Sequence, residues 1–212
     1  IGIIRGEETL PLNATLSFAK SNGMQLHYLS REAYRRKNET EFIQSLHNRF
    51  GEFYFIPEGG TNPFAVKGIA EFAHQLQQQA SFDYVCLPVG TGGTLAGLVE
   101  GLPNKHIVGF AALKGGDFLS EEVKLYTAHR NSEIETAFHF GGYGKVTEEL
   151  LHFIHQFSKE HNVPLDPVYT GKALFGVLQK VREGFLRKGA KVLFLHTGGL
   201  QGNAGFDMPS NS

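Results

Sequence analysis

The run Pro88-Val89-Gly90-Thr91-Gly92-Gly93-Thr94 has the residue types of an anion cradle. Its glycines permit a sharp turn and close backbone approach to a ligand. Thr91 and Thr94 add hydroxyl donors. The apolar residues 84–87 before the loop read as a buried strand, and 95–99 after it as the first turns of a helix. A helix start offers N–H groups without intrahelical partners and the positive end of the helix dipole. The expected ligand is a phosphate. A nucleotide is disfavoured. Leu95 stands where the dinucleotide fingerprint needs its last glycine, no acid lies about twenty residues on, and no Gly-Lys-Ser/Thr closes the loop as in a P-loop.

Two tyrosines and a threonine form the second group. Tyr169 lies in Asp166-Pro167-Val168-Tyr169-Thr170-Gly171-Lys172, where a prolyl turn running into a helix holds a side chain rigidly. Residue type alone makes it a packing tyrosine. Tyr143 lies in Gly141-Gly142-Tyr143-Gly144, which suits close backbone approach. Thr197 follows the apolar run 192–196, at the strand end where α/β sheets place ligands. Lys172, three residues past Tyr169, reads as a surface or loop-bracing lysine rather than a catalytic amine. His152 and His155 read as a solvated or satisfied pair, and Cys86 as an inert core thiol.

The elements that position these groups alternate. Residues 1–6, 24–30 and 53–56 read as strands separated by helices over 14–22 and 40–50, a βαβαβ pattern that requires parallel pairing. Asn13 is the expected N-cap of the first helix and Gly23 its stop. The basic stretch 31–37 reads as a solvated helix face. The composition shift at Pro57-Glu58-Gly59-Gly60 marks a domain boundary, giving 1–57 and 58–212. Beyond it, helices are expected over 64–79 (Phe64, Ile69, Phe72, Ala73 and Leu76 apolar), 120–128, 147–161 and 170–186. Strands are expected over 106–113, 134–140 and 192–196, and a loose tail from Gly202.

Composition narrows the partners. The 212 residues are 41% hydrophobic with 18 phenylalanines, enough for a sizeable core in one or two domains. A formal net charge of −1 argues against nucleic acid or an acidic membrane surface. One cysteine excludes an internal disulfide framework and fits a reducing compartment such as the cytoplasm. No apolar stretch reaches membrane-spanning length. The opening at Ile1, directly into an apolar run, is expected to reflect residues missing upstream.

Several spaced pieces in one order carry a resemblance. They are Ile3-Ile4-Arg5-Gly6-Glu7, Pro57-Glu58-Gly59-Gly60-Thr61-Asn62, the loop 90–94, Phe140-Gly141-Gly142-Tyr143, the 166–172 motif and His196-Thr197-Gly198-Gly199. Together they resemble the pyridoxal-phosphate enzymes of the D-cysteine desulfhydrase and 1-aminocyclopropane-1-carboxylate deaminase family. The resemblance implies a tryptophan-synthase-β-like α/β fold (fold type II) of two three-layer domains, N-terminally incomplete here, with most of the smaller domain in 1–57 and the cofactor domain in 58–212. It implies pyridoxal 5'-phosphate held by Gly90, Thr91, Gly92, Gly93, Thr94, Thr170 and Thr197, with Thr197 beside the pyridine nitrogen and Tyr169 and Tyr143 catalytic. The lysine that carries the cofactor belongs to the missing N-terminal segment. The family also implies a small amino-acid substrate and a homodimer. The deaminase branch typically carries Glu after the tyrosine and Leu in place of the turn threonine; Thr170 and Thr197 favour α,β-elimination of D-cysteine. Ring opening of the cyclopropane amino acid is the alternative, as is a non-catalytic remnant that binds a phosphate-bearing ligand.

Overall fold

The computed structural model describes residues 1–206, so the last part of the expected loose tail lies outside the described residues. Its first part is ordered as a turn of 3-10 helix over Leu200–Gly205. The chain divides into two compact units, one of residues Ile1–Phe55 and one beginning at Ile56.

The first unit contains β1 (Gly2–Arg5), α1 (Ala14–Ser21), β2 (Leu26–Leu29), α2 (Arg31–Arg35) and α3 (Thr40–Phe50). β1 and β2 pair in parallel from Gly2↔Leu26 to Arg5↔Leu29, with α1 as the crossover. Asn13 caps α1 by accepting from the Leu16 N–H at 2.9 Å, and Gly23 reverses the chain after it at φ 87°. The strand expected over 53–56 does not form. Alternating side chains make a segment extended, but a strand needs a neighbouring edge to complete its ladder. Phe53 stacks instead on His47 of α3, with ring centroids 4.2 Å apart.

The second unit is a parallel sheet with helices packed against it. It comprises α4 (Pro63–Gln79), β3 (Tyr84–Val89), α5 (Gly93–Gly101), β4 (His106–Ala111), α6 (Leu119–Lys124), β5 (Ser132–Glu135), α7 (Glu148–His161), α8 (Thr170–Arg182) and β6 (Val192–Phe194). The strand order is β5-β4-β3-β6, every pair parallel. Strand periodicity sorts β3 between two cores. Val85, Leu87 and Val89 pack with α4 and α5, while Cys86 packs with Val108, Phe110, Ala173 and Val177 on the α8 side. Fully burying a side chain such as Leu87 stabilises the fold by about 2 kcal/mol. Pro88, which has no N–H to donate, lies beyond Cys86, the last residue of β3 paired with β6.

Two features place the site. α5 lies directly on α4, because Gly97 and Gly101 leave no side chain between them. A Cβ on Gly97 would fall 2.8 Å from the Val66 carbonyl, and one on Gly101 2.7 Å from the Ala73 methyl. α8 stops in a Schellman turn: Gly184 takes φ 74°, and the Phe185 N–H reaches the Lys180 carbonyl at 3.0 Å. This ends the helix four residues before the expected Leu186.

Two expectations are corrected, and one apolar residue of α4 faces outward. Phe64 is 74% exposed, because the buried stripe of α4 runs through Val66 and Ala73 instead. The strand expected over 134–140 is Ser132–Glu135. The alternation beyond it comes from Phe138 and Phe140, which turn away from the ladder onto Phe110 and Phe175. The short helix expected over 120–128 is Leu119–Lys124, after which Thr127 donates to Glu100 at 2.8 Å.

Candidate active site

The loop after β3 and the start of α5 form one wall of a cavity of about 490 Å³. Gly92 takes φ 87°, a left-handed conformation that costs glycine little, and so aims the N-terminus of α5 at the cavity. Gly59, Tyr169, Thr197, Gly198, Gly199 and Gln201 complete the lining, and no Lys or Arg contributes among the described residues. The turn after β6 meets the loop after β3 because the two strands are neighbours in the sheet.

The segment from Glu58 to Asn62 braces the loop. The Thr61 and Thr91 hydroxyls share a hydrogen bond of 2.7 Å. A Cβ on Gly59 would lie 2.6 Å from the Thr91 hydroxyl oxygen, and one on Gly93 2.6 Å from that of Thr61. Both glycines therefore permit a contact that side chains would block. In the sequence this segment reads as a domain boundary and as one piece of the family resemblance, with no bracing role. Its Gly-Gly-Thr-Asn composition, with Asn62 capping α4 by accepting from the Phe64 and Ala65 N–H groups, was the signal for a second role.

Tyr169 is fixed by Asp166, which is fully buried. One carboxylate oxygen accepts from the N–H groups of Val168 at 2.8 Å and Tyr169 at 2.7 Å. The other accepts from the Thr170 N–H at 2.8 Å and the Thr170 hydroxyl at 2.6 Å. Asp166 thus satisfies the N–H groups of the turn into α8, whose N-terminus also places a positive dipole end beside the carboxylate. Gly199 packs against it: a Cβ there would lie 2.9 Å from the carboxylate, and φ is 98°. Sequence reasoning assigned Asp166 no role.

The Tyr169 hydroxyl donates to that of Tyr143 at 3.2 Å, with the rings edge to face at 5.9 Å. The Tyr169 ring lies over Gly90, where a Cβ would meet it at 3.3 Å. Burial, the bond to Tyr143 and the nearby Asp166 and Glu58 carboxylates push the Tyr169 phenol well above its ordinary value. All of these causes disfavour the phenolate. Tyr169 holds its proton and is a donor.

The structure thus brings Gly90, Thr91, Gly92, Gly93, Thr94, Tyr169 and Thr197 to one cavity. Tyr143 joins through Tyr169 and is 63% exposed. Thr170 is placed differently: it is fully buried, its hydroxyl is committed to Asp166, and it lies outside the cavity lining. Lys172 corrects the surface reading, since it is 1% exposed and bonded to three backbone carbonyls, but it does brace a loop. Burial pulls its ammonium down to about 8, opposed by Asp166. Cys86 is buried, and its thiol is pushed up to about 12 by burial first and Glu133 second.

A parallel sheet with a glycine loop, a helix N-terminus and a tyrosine at its carboxyl edge defines a class. The family model "Pyridoxal-phosphate dependent enzyme" matches residues 13–198, and the chain belongs to that family. A Pyrococcus horikoshii protein provisionally named 1-aminocyclopropane-1-carboxylate deaminase is 32% identical over 94% of this chain and 66% of its own length. An Arabidopsis thaliana protein, "Bifunctional D-cysteine desulfhydrase/1-aminocyclopropane-1-carboxylate deaminase, mitochondrial", is 28% identical over 85% of this chain and 51% of its own. The crystal structure of an "ACC deaminase homologue" superposes with a TM-score of 0.78 at 30% identity, over 95% of this chain and 66% of that one. The chain therefore spans about half to two thirds of the length of these relatives. Its fold is that of the fold type II pyridoxal-phosphate enzymes.

The residues present fit that cofactor. The loop 90–94 and the α5 N-terminus form a cradle in which Cβ atoms at Gly90, Gly92 and Gly93 would crowd their neighbours, and the cavity falls in the usual range for small-molecule sites. Thr197, in the turn after β6, lines the same cavity.

Proposed function

We propose that the chain is the larger part of a pyridoxal-phosphate lyase that acts on a small amino acid, with α,β-elimination of D-cysteine as its reaction. The balanced conversion is D-cysteine plus water to pyruvate, ammonia and hydrogen sulfide. The observation that carries the reading is the Tyr169–Tyr143 hydroxyl pair at the edge of a cavity floored by a phosphate cradle. Bound, the cofactor supplies an electron sink for the bonds at the substrate's Cα.

The chain's own residues would do the rest. The N–H groups at the start of α5 and the hydroxyls of Thr91 and Thr94 hold the phosphate and so fix the ring. Thr197 offers its hydroxyl to the ring nitrogen and leaves that nitrogen less fully protonated than a carboxylate would. Tyr169 keeps its proton at neutral pH and offers its O–H to the negative charge that develops on the leaving sulfur. Tyr143 accepts that O–H until substrate arrives, which keeps it aimed. Asp166 holds Tyr169 through the backbone and touches no substrate.

Position 170 favours elimination over cyclopropane ring opening. It holds a threonine turned into the protein, and Tyr169 is followed by no carboxylate. The second reading, 1-aminocyclopropane-1-carboxylate deamination, is supported by the names of the relatives. An assay of the complete natural polypeptide with its cofactor separates the two. Sulfide and pyruvate from D-cysteine support elimination. A four-carbon 2-oxo acid and ammonia from the cyclopropane amino acid, without sulfide from D-cysteine, would replace it. No product from either would sink the lyase reading.

A further inference from the structure

Lys172 stands on α8 one turn past Tyr169, and its amine takes no place in the cavity lining. Its Nζ donates to the carbonyls of Gly142 at 2.8 Å, His139 at 2.9 Å and Ala112 at 3.4 Å. Three acceptors match the three hydrogens of an ammonium; a neutral amine has only two. A buried cation is costly unless its donors are satisfied. Here the carbonyl dipoles satisfy them, and the Asp166 carboxylate on the same helix start favours the charge.

What the ammonium holds is an unfavourable piece of backbone. Phe140, Gly141 and Gly142 take φ of 51°, 92° and 123° in succession, just before Tyr143. A non-glycine residue in the left-handed region costs about 1–2 kcal/mol, so the loop needs external support. α8 supplies it twice. Lys172 binds the His139 and Gly142 carbonyls that bracket the turn, and Phe175, one turn further, packs edge-on against Phe140 at 5.1 Å. Tyr169 is the N-cap of the same helix. One element therefore carries one tyrosine of the pair and the anchor for the other.

We propose that Lys172 is a positioning residue: its ammonium gathers the carbonyls of Ala112, His139 and Gly142 and so fixes where the Tyr143 hydroxyl stands against Tyr169. The consequence for turnover rests on the proposed role of the tyrosine pair; the placement of Tyr143 does not. The cage is also specific for a cation. Emptied of its lysine, it becomes a carbonyl-lined hole that takes a small ammonium ion.

The test uses the complete natural protein, loaded with its cofactor and carrying 3-fluorotyrosine at position 143, observed by 19F NMR. Lys172→Met keeps the apolar stem and removes the charge; Lys172→Ala removes both. The position-143 resonance is expected to shift and broaden in each variant. In Lys172→Ala, added methylammonium should restore it, whereas in Lys172→Met, whose stem fills the hole, it should not. Bound cofactor should stay constant, while kcat falls about tenfold to a hundredfold with a smaller change in KM. Methylammonium should return kcat together with the resonance in Lys172→Ala. An unmoved resonance in Lys172→Met would overturn the proposal. So would rescue by methylamine of both variants alike, because that effect would not arise in the cage. A displaced resonance with full turnover would support the placement of Tyr143 and count against the tyrosine pair as the proton carrier.

Discussion

The Tyr169 hydroxyl donates to the Tyr143 hydroxyl across 3.2 Å, and Tyr169 alone of the two lines the cavity. The pair is therefore asymmetric. Tyr169 offers the proton; Tyr143 receives it and orients the donor. Tyr169→Phe should lower kcat by about a hundredfold or more, the usual scale for losing a positioned acid or base. Cofactor absorbance and retention should stay unchanged, because the phosphate cradle lies on other elements. Tyr143→Phe should lower kcat less, since it removes the orienting acceptor and leaves the donor. Equal turnover in Tyr169→Phe and the parent would remove this tyrosine from the mechanism.

Asp166 accepts four hydrogen bonds while fully buried, so its loss is a backbone event. Asp166→Ala leaves three N–H groups at the start of α8 and the Thr170 hydroxyl without their acceptor. The expected cost is about 2–4 kcal/mol, from lost capping and buried unsatisfied donors. Thermal or urea unfolding of the complete protein reads this directly. Gly199→Ala presses a methyl toward the same carboxylate and strains a backbone at φ 98°, and should cost about 1–2 kcal/mol. A melting temperature unchanged in both variants would refute the claim that Asp166 joins the start of α8 to the turn after β6.

The cradle makes a prediction about cofactor retention. Thr91 is tied to Thr61 at 2.7 Å, and a single hydroxyl can accept from one partner while donating to another. Thr91→Val removes a donor aimed at an anion and releases Thr61. A hydrogen bond to a charged group contributes about 1.5–3 kcal/mol, so dissociation of pyridoxal phosphate should rise about tenfold to a hundredfold. Dialysis followed by absorbance of the retained cofactor measures it. Retention equal to that of the parent would place the phosphate elsewhere.

The cavity was legible in the sequence to the extent that each part was local. The loop 90–94 follows an apolar run and opens a helix, and both features are short-range, so strand, loop and helix appeared where expected. Asn13 was readable as a cap for the same reason. What depended on distant partners was not readable. Phe64 fitted a helical period but faces outward, because the stripe against α5 passes through Val66 and Ala73. Residues 53–56 alternate like a strand without a ladder to join. Thr170 sits beside Tyr169 in the chain, yet Asp166 turns its hydroxyl away from the cavity. Lys172 was half legible: bracing was foreseen, but its burial depends on carbonyls 30 to 60 residues away.

Cys86 supplies a pH dependence whose sign can be worked out. Its thiol lies between β3 and α8 at 1% exposure, and burial raises it from 9.0 to about 12. Well below pH 9 the thiol is protonated in both folded and unfolded chains and contributes nothing to the slope. Between about 9 and 12 the unfolded chain releases the proton while the folded chain keeps it, so stability falls as pH rises. At 1.36 kcal/mol per unit the loss reaches about 2 kcal/mol near pH 10.5. Cys86→Val, similar in size and without a proton to release, should remove that share and flatten the urea-unfolding free energy over this window. The native thiol should also resist alkylation at neutral pH, because burial keeps it protonated and out of reach. Peptide mass mapping should find Cys86 labelled only after denaturation. Rapid labelling of the native chain, or an unchanged alkaline slope in Cys86→Val, would mean that this strand opens far more readily than its packing against Val108, Phe110, Ala173 and Val177 implies.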